Sequence, residues 1–214
     1  MKISASLLSC DTAYLGDTVV ELERAGVDFV HLDIMDGHYV ENFAFSSKTV
    51  QDLRRITNLP LEVHLEIENP ERYITAFAEA GADLIIVQLD VCRHPIRILD
   101  TIHKYGKKAG LAVNPGDSLE RIKYFAEYVD YVLLMSVEPG FGGQKFERSV
   151  MGKVRLVKTL FEECDYQIPV GLDGGVSLEN IGAIREAGIE VVVVGTALFS
   201  QEPLSQVVAA FKGL

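Results

Sequence analysis

A chain of 214 residues with 48% hydrophobic and 24% charged side chains has enough apolar residues for one sizeable core and reads as an ordinary globular protein. Its formal net charge of −11 and the absence of a basic stripe exclude nucleic acid and anionic membrane surfaces as expected partners, because nothing is in place to neutralise phosphates. No apolar run reaches the length of a membrane span, and three cysteines, Cys10, Cys92 and Cys164, scattered and odd in number, argue against a disulfide framework.

The chain begins Met1-Lys2-Ile3-Ser4, entering a strand-like segment without the succession of regions that marks a secretory signal, so a cytoplasmic location is expected. Short β-rich runs then follow at residues 3–8, 29–33, 61–65, 84–89, 109–113, 131–136, 168–173 and 191–194. Between them the apolar residues recur three and four apart, predicting helices such as 18–25, 70–80, 118–127 and 178–187. Strands that alternate with helices must pair in parallel through crossovers. Eight such units predict an α/β fold, a (β/α)8 TIM barrel, as one domain over residues 1–214.

An internal recurrence supports the repeating unit. Ala25-Gly26-Val27-Asp28-Phe29, Ala80-Gly81-Ala82-Asp83-Leu84 and Ala187-Gly188-Ile189-Glu190-Val191 each place a glycine where a helix needs a left-handed cap and an acid before the next strand. An open doubly wound sheet is the rival architecture. It calls for glycines after the first strand, and Leu8-Ser9-Cys10-Asp11 has none.

In parallel barrels the chemistry sits where strands end. His31 and Asp33 lie two apart on the second run, hence on one face; His64 falls near the end of the third and Asp173 ends the seventh. Two imidazoles and two carboxylates form a ligand set suited to one divalent metal ion, Zn, Mn, Fe(II) or Co. Any one of them alone reads equally well as a rim hydrogen bonder or a helix cap; four at the strand ends of one barrel favour a site. A second group is rich in glycine: Glu138-Pro139-Gly140-Phe141-Gly142-Gly143-Gln144 after the sixth run, Gly174-Gly175 after the seventh and Gly195-Thr196-Ala197 after the eighth. A single glycine pair usually means a tight turn, but three adjacent loops of this kind predict backbone N–H groups turned inward around a phosphate.

The segments Val30-His31-Leu32-Asp33-Ile34-Met35-Asp36-Gly37-His38, Glu62-Val63-His64-Leu65, Met135 through Gln144 and Leu172-Asp173-Gly174-Gly175-Val176 resemble the ribulose-phosphate 3-epimerase family. Ser4-Ala5-Ser6-Leu7-Leu8-Ser9 and Val113-Asn114-Pro115-Gly116 extend the resemblance over nearly the whole chain. It implies a phosphorylated ketose as substrate, most directly the interconversion of D-ribulose and D-xylulose 5-phosphates, with a symmetric homo-oligomer as the assembly. His31, Asp33, His64 and Asp173 match the family's metal ligands, and Asp33 and Asp173 also match its two proton-transfer acids. A metal bridging the ketone and the adjacent hydroxyl would acidify the C–H between them, and one acid would remove the proton while the other returns one to the opposite face. Ser6 matches a substrate-contacting serine, and Met35 and Met135 match methionines that line the pocket. Gly140, Gly142, Gly143, Gln144, Gly174, Gly175, Gly195 and Thr196 complete the expected substrate contacts.

Four positions depart from the family pattern. Glu66 stands where a third pocket methionine is usual, Glu41 replaces a proline, Gln88 a histidine, and Ala5 a proline before Ser6. Glu66 is expected to bind an additional hydroxyl, take a helper cation or turn to solvent. These departures motivate a second reading, the same chemistry on another ketose phosphate such as D-allulose 6-phosphate. A barrel decarboxylase is disfavoured because Leu61-Glu62-Val63-His64-Leu65-Glu66 lacks the required lysine, and a non-catalytic sugar-phosphate binder because no ligand or acid is missing.

Overall fold

The computed structural model describes residues 1–200 and 203–213. Eight parallel strands close on themselves: β1 (Lys2–Ser6), β2 (Phe29–Asp36), β4 (Leu61–Glu66), β5 (Leu84–Gln88), β6 (Lys108–Val113), β7 (Tyr131–Met135), β8 (Val170–Asp173) and β9 (Val191–Val194), with β1 hydrogen-bonded to both β2 and β9. The architecture is a TIM barrel. One short strand, β3 (Phe43–Ala44), folds back antiparallel on Met35 and Asp36 of β2. Every residue of β4, β5, β7 and β9 is buried, as expected for parallel strands covered on both faces. The helices are α1 (Leu15–Ala25), α2 (Ser47–Arg54), α3 (Ile74–Ala80), α4 (Pro95–Lys104), α5 (Val150–Glu162), α6 (Ile181–Glu186), α7 (Thr196–Phe199) and α8 (Leu204–Lys212). No helix among the described residues is long and apolar enough to cross a membrane.

Two apolar layers divide the core. Leu22, Leu32, Leu61, Leu99, Phe161 and Phe211 lie in the larger cluster formed by the strands and the surrounding helices, while Leu84, Ile86, Ala112, Tyr131, Leu133, Met135, Val191 and Val193 form a separate cluster. Glycines make room in this second layer. A Cβ on Gly171 would stand 1.7 Å from Tyr131 Oη, and one on Gly110 would stand 2.9 Å from Ile86 Cγ1, so two strands give up side chains where Tyr131 and Ile86 cross the interior.

The recurring glycine–acid turn does two jobs. Gly26, Gly81 and Gly188 adopt positive φ and end helical segments, as expected. The acid then reaches sideways: Asp28, Asp83 and Glu190 accept from the N–H groups of Ile3, Leu61 and Val170 at 2.8, 2.9 and 2.9 Å. Asp130 does the same for Ala109 at 2.8 Å. Each satisfies a backbone donor at the start of a neighbouring strand, where the ladder supplies none.

Several boundaries differ from expectation. β1 ends at Ser6, whose hydroxyl accepts from Leu8 N at 3.3 Å and turns residues Leu7–Ser9 into a 3-10 helix. The segment 70–80 divides into a 3-10 turn, Pro70–Arg72, and α3. The expected helix 118–127 is not an α-helix; within it only Ile122–Phe125 is regular, as 3-10. Its buried residues are Leu119, Ile122, Phe125 and Ala126, an apolar spacing that a 3-10 turn also satisfies over so short a segment. In the segment 178–187 only α6 is helical, because Asn180 caps a turn by accepting from Ser177 N at 2.8 Å.

Candidate active site and metal centre

The in-register pairing of β2 with β4 sets Asp33 beside His64, and β8 brings Asp173 to the same mouth. His31, Asp33, His64 and Asp173 each offer one donor atom, all within 4.8 Å of one another. His31 Nε2 lies 3.1 Å from Asp33 Oδ1 and 3.7 Å from Asp173 Oδ2; His64 Nδ1 lies 3.4 Å from Asp33 Oδ1 and 3.9 Å from Asp173 Oδ2. Both rings are fully buried, and His64 Nδ1 has no hydrogen-bond partner. A buried nitrogen without a partner, facing two carboxylates, fits a divalent cation, and the two-nitrogen, two-oxygen set is suited to the borderline metals.

Behind these donors lies a second set of side chains that orients them. Glu62 is buried with Oε2 3.3 Å from His31 Nδ1 and accepts from the Ser4 hydroxyl. This leaves Nε2 of His31 as the nitrogen facing the cluster. Ser6 donates to Asp33 Oδ2 at 2.8 Å, so the serine expected to touch substrate also fixes one acid. Gln88 Nε2 lies 3.1 Å from His64 Nε2. A His64 whose Nδ1 lone pair faces the carboxylates carries its proton on Nε2, and the Gln88 amide then presents Oε1, which has no other partner.

Burial and charge push the two acids apart. Burial favours the neutral form of Asp33, but His31 and His64 beside it outweigh that and hold its carboxyl well below the usual range. Asp173 is raised to about 7, by burial first, with His31 opposing and the charges of Asp33 and Glu62 adding to it. Burial opposes charge on both imidazoles; in His31 the surrounding Asp33, Glu62 and Asp173 prevail and raise its pKa, whereas in His64 burial prevails and lowers it.

The cluster opens into a cleft lined by Ser6, Asp33, Met35, Glu66, Met135 and Asp173 on one side and by Gly140, Gly142, Gly143, Gln144, Gly174, Gly175, Gly195 and Thr196 on the other. All the glycines expected to cradle a phosphate therefore converge. Two of them need to be glycine: Gly174, at φ +109°, would place a Cβ 2.4 Å from Val137 Cγ2, and Gly175, at φ +62°, would place one 2.5 Å from Phe146 N. Gln144 donates through Nε2 to Glu138 O at 2.7 Å and Phe141 O at 2.9 Å, bracing the loop. Asn42 ties the same loop to the β2–β3 turn, donating to Gly140 O at 2.8 Å.

The model of the ribulose-phosphate 3 epimerase family matches residues 2–199. The chain belongs to that family. It is 40% identical to the ribulose-phosphate 3-epimerase of Bacillus subtilis across all of this chain and 99% of that protein. It is 39% identical to that of Aquifex aeolicus, covering 100% and 97% of the two chains, and 39% identical to that of Escherichia coli K12, covering 96% and 92%. Membership makes it an isomerase, an epimerase acting on carbohydrate. In fold alone it is similar to a mutant tryptophan synthase alpha-subunit from Pyrococcus furiosus, with a TM-score of 0.75 at 18% identity over 100% of this chain and 98% of that one.

Against the family pattern, the four departures have different weight. Ala5 is buried in the larger core cluster and Glu41 is exposed. Gln88 stands behind His64. Glu66, by contrast, is 2% exposed and lines the cleft, which rules out the expected alternative that it turns to solvent. Its Oε1 lies 3.6 Å from His64 Nδ1 and its Oε2 has no partner. Burial, Asp33 and Asp173 raise its pKa. Sequence reasoning passed over Glu62 and Ser4 because they sit mid-strand; the signal was parity, since 62, 64 and 66 share a face of β4 and residues 4 and 6 a face of β1.

Proposed function

We propose that this protein interconverts D-ribulose 5-phosphate and D-xylulose 5-phosphate by inverting C3. The observation that carries the reading is the convergence of two acids of opposed proton affinity, the buried Asp33 and the partly buried Asp173, beside glycine-lined loops at one barrel mouth. The loops after β7, β8 and β9 bind the phosphate through backbone N–H groups. Asp33, held ionised, removes the C3 proton, and the electron pair moves toward the C2 oxygen. Asp173, whose carboxyl binds a proton more tightly than a free aspartic acid does, delivers one to the opposite face of C3. Ser6 keeps Asp33 in place through Oδ2, and Met35 and Met135 exclude water from the reacting carbon. A divalent ion held by His31, Asp33, His64 and Asp173 would, when bound, stabilise the negative charge that develops on the substrate oxygens.

The departures do not favour a longer sugar. The additional carbon of a hexulose 6-phosphate lies between C3 and the phosphate, whereas Glu66 is on β4, across the barrel from the phosphate loops. The family resemblance also supports a homo-oligomer, a cytoplasmic location and one domain over residues 1–214. Metal-loaded protein incubated with D-ribulose 5-phosphate in heavy water should show deuterium at C3 and formation of D-xylulose 5-phosphate by NMR, both suppressed by a chelator. Asp173→Ala should abolish both while phosphate binding persists. Retained epimerisation in that variant would refute the two-acid reading.

A further inference from the structure

Glu66 is a carboxylate whose burial the machinery above does not use. In the closed ring of eight strands, β4 stands opposite β8, so Glu66 and the Gly174-Gly175 loop face each other across the mouth. Both line one cleft, with Asp33 and Asp173 also on its wall. A ketose phosphate that lays its phosphate on the glycine loops and its C3 between the two acids must extend C2 and then C1 toward β4. Beyond the carbonyl such a sugar has a single hydroxyl, on C1. Glu66 Oε2 is buried, lines the cleft and has no partner within the protein. A hydroxyl both donates and accepts, so it can satisfy this group as a carboxylate or as an acid.

We infer that Glu66 holds the C1 hydroxyl of the ketose and makes the protein selective for 1-hydroxy over 1-deoxy ketose phosphates. The inference rests on the C3-epimerase reading. Its physical basis is asymmetric: a buried polar group left unpaired by a substrate lacking its partner rejects that substrate far more strongly than a mismatch in an apolar wall does. Methionine at this position offers no comparable partner and removes an unpaired buried carboxylate, so Glu66→Met is not expected to endanger folding.

The test compares D-xylulose 5-phosphate with 1-deoxy-D-xylulose 5-phosphate in the wild-type protein, Glu66→Gln and Glu66→Met. It follows C3 exchange in heavy water and measures dissociation constants by calorimetry, with bound metal quantified in every sample. The wild type should favour the hydroxylated sugar by ~100-fold in kcat/KM, with a parallel preference in binding. Glu66→Met should reduce that ratio to within about threefold, Glu66→Gln should retain part of it, and metal content should be unchanged. Wild-type protein that treats the two sugars alike, or Glu66→Met that keeps the preference, would overturn the inference. So would loss of metal from Glu66→Met with the ratio intact, which would make Glu66 a metal ligand instead. Absence of exchange on either sugar in the wild type would remove the epimerase reading and this inference with it.

Discussion

Replacing Glu62 by Gln tests whether the side chains behind the cluster set its metal affinity. Glu62 is buried, accepts from Ser4 and sits 3.3 Å from His31 Nδ1. The substitution keeps the shape and a hydrogen-bonding oxygen but removes the charge. A hydrogen bond to a charged group contributes roughly 1.5–3 kcal/mol, so losing the charge-assisted part should weaken metal binding by about 10–100-fold, the range seen when outer partners of metal-bound histidines are removed. The loss should appear as a faster transfer of zinc or manganese to a competing chelator and as a lower midpoint in a competition titration. Epimerisation at saturating metal should recover most of the wild-type rate, because Glu62 is separated from the substrate cleft by His31. An affinity within twofold of wild type would refute the proposed role of Glu62, as would a rate that stays depressed when metal is in excess.

Metal binding should also depend on pH through Asp173, raised to about 7. Its proton, and that of His31, whose pKa is raised as well, must leave before either can coordinate, so affinity should rise with pH through about 7 and keep rising until His31 is neutral. In metal-free protein, Asp173 and His31 both bind protons more tightly when folded. Their stabilisation is present at low pH and lost as pH rises through the folded values. The metal-free Tm should therefore fall from about pH 5 to about pH 8, where added metal should reverse the decline; a Tm that rises over that interval without metal would contradict the assignment. Gly171→Ala should cost ~3 kcal/mol or more, because its Cβ would overlap Tyr131 Oη and Cζ, and denaturant unfolding checks it. Tyr131→Phe should be neutral or stabilising, since Oη is buried without a partner.

Much of this was legible in the sequence because the physics behind it is local. Parallel barrel strands are buried on both faces and appear as apolar runs, and the acid–glycine turns punctuate them. His31, Asp33 and Asp173 announced themselves as polar residues near the ends of such runs. Glu62 and Ser4 did not, since a polar residue inside an apolar strand has a meaning only once the closing register brings a partner across, here from β4 to β1 and β2. The fate of Glu66 was hidden for a related reason: the third run was ended at Leu65, whereas β4 continues one residue and carries Glu66 inside. Residues 118–127 show that apolar spacing alone does not separate an α-helix from a short 3-10 turn: Leu119, Ile122, Phe125 and Ala126 are buried as a helix would bury them, yet only Ile122–Phe125 is regular. The pairing of Phe43–Ala44 with β2 involves too few residues for any periodicity.

Tyr131, seated in the space that Gly171 vacates, has a kinetic consequence on the two-acid reading. Each turnover leaves the acids in exchanged states, with Asp33 protonated and Asp173 bare, a form matched to the reverse reaction. With the interior below them filled, protons can reset these groups only through the mouth that departing product must first clear. The free enzyme therefore carries a brief record of the direction in which it last worked. Isotope exchange between labelled substrate and product at high sugar concentration measures how fast that record is erased relative to turnover.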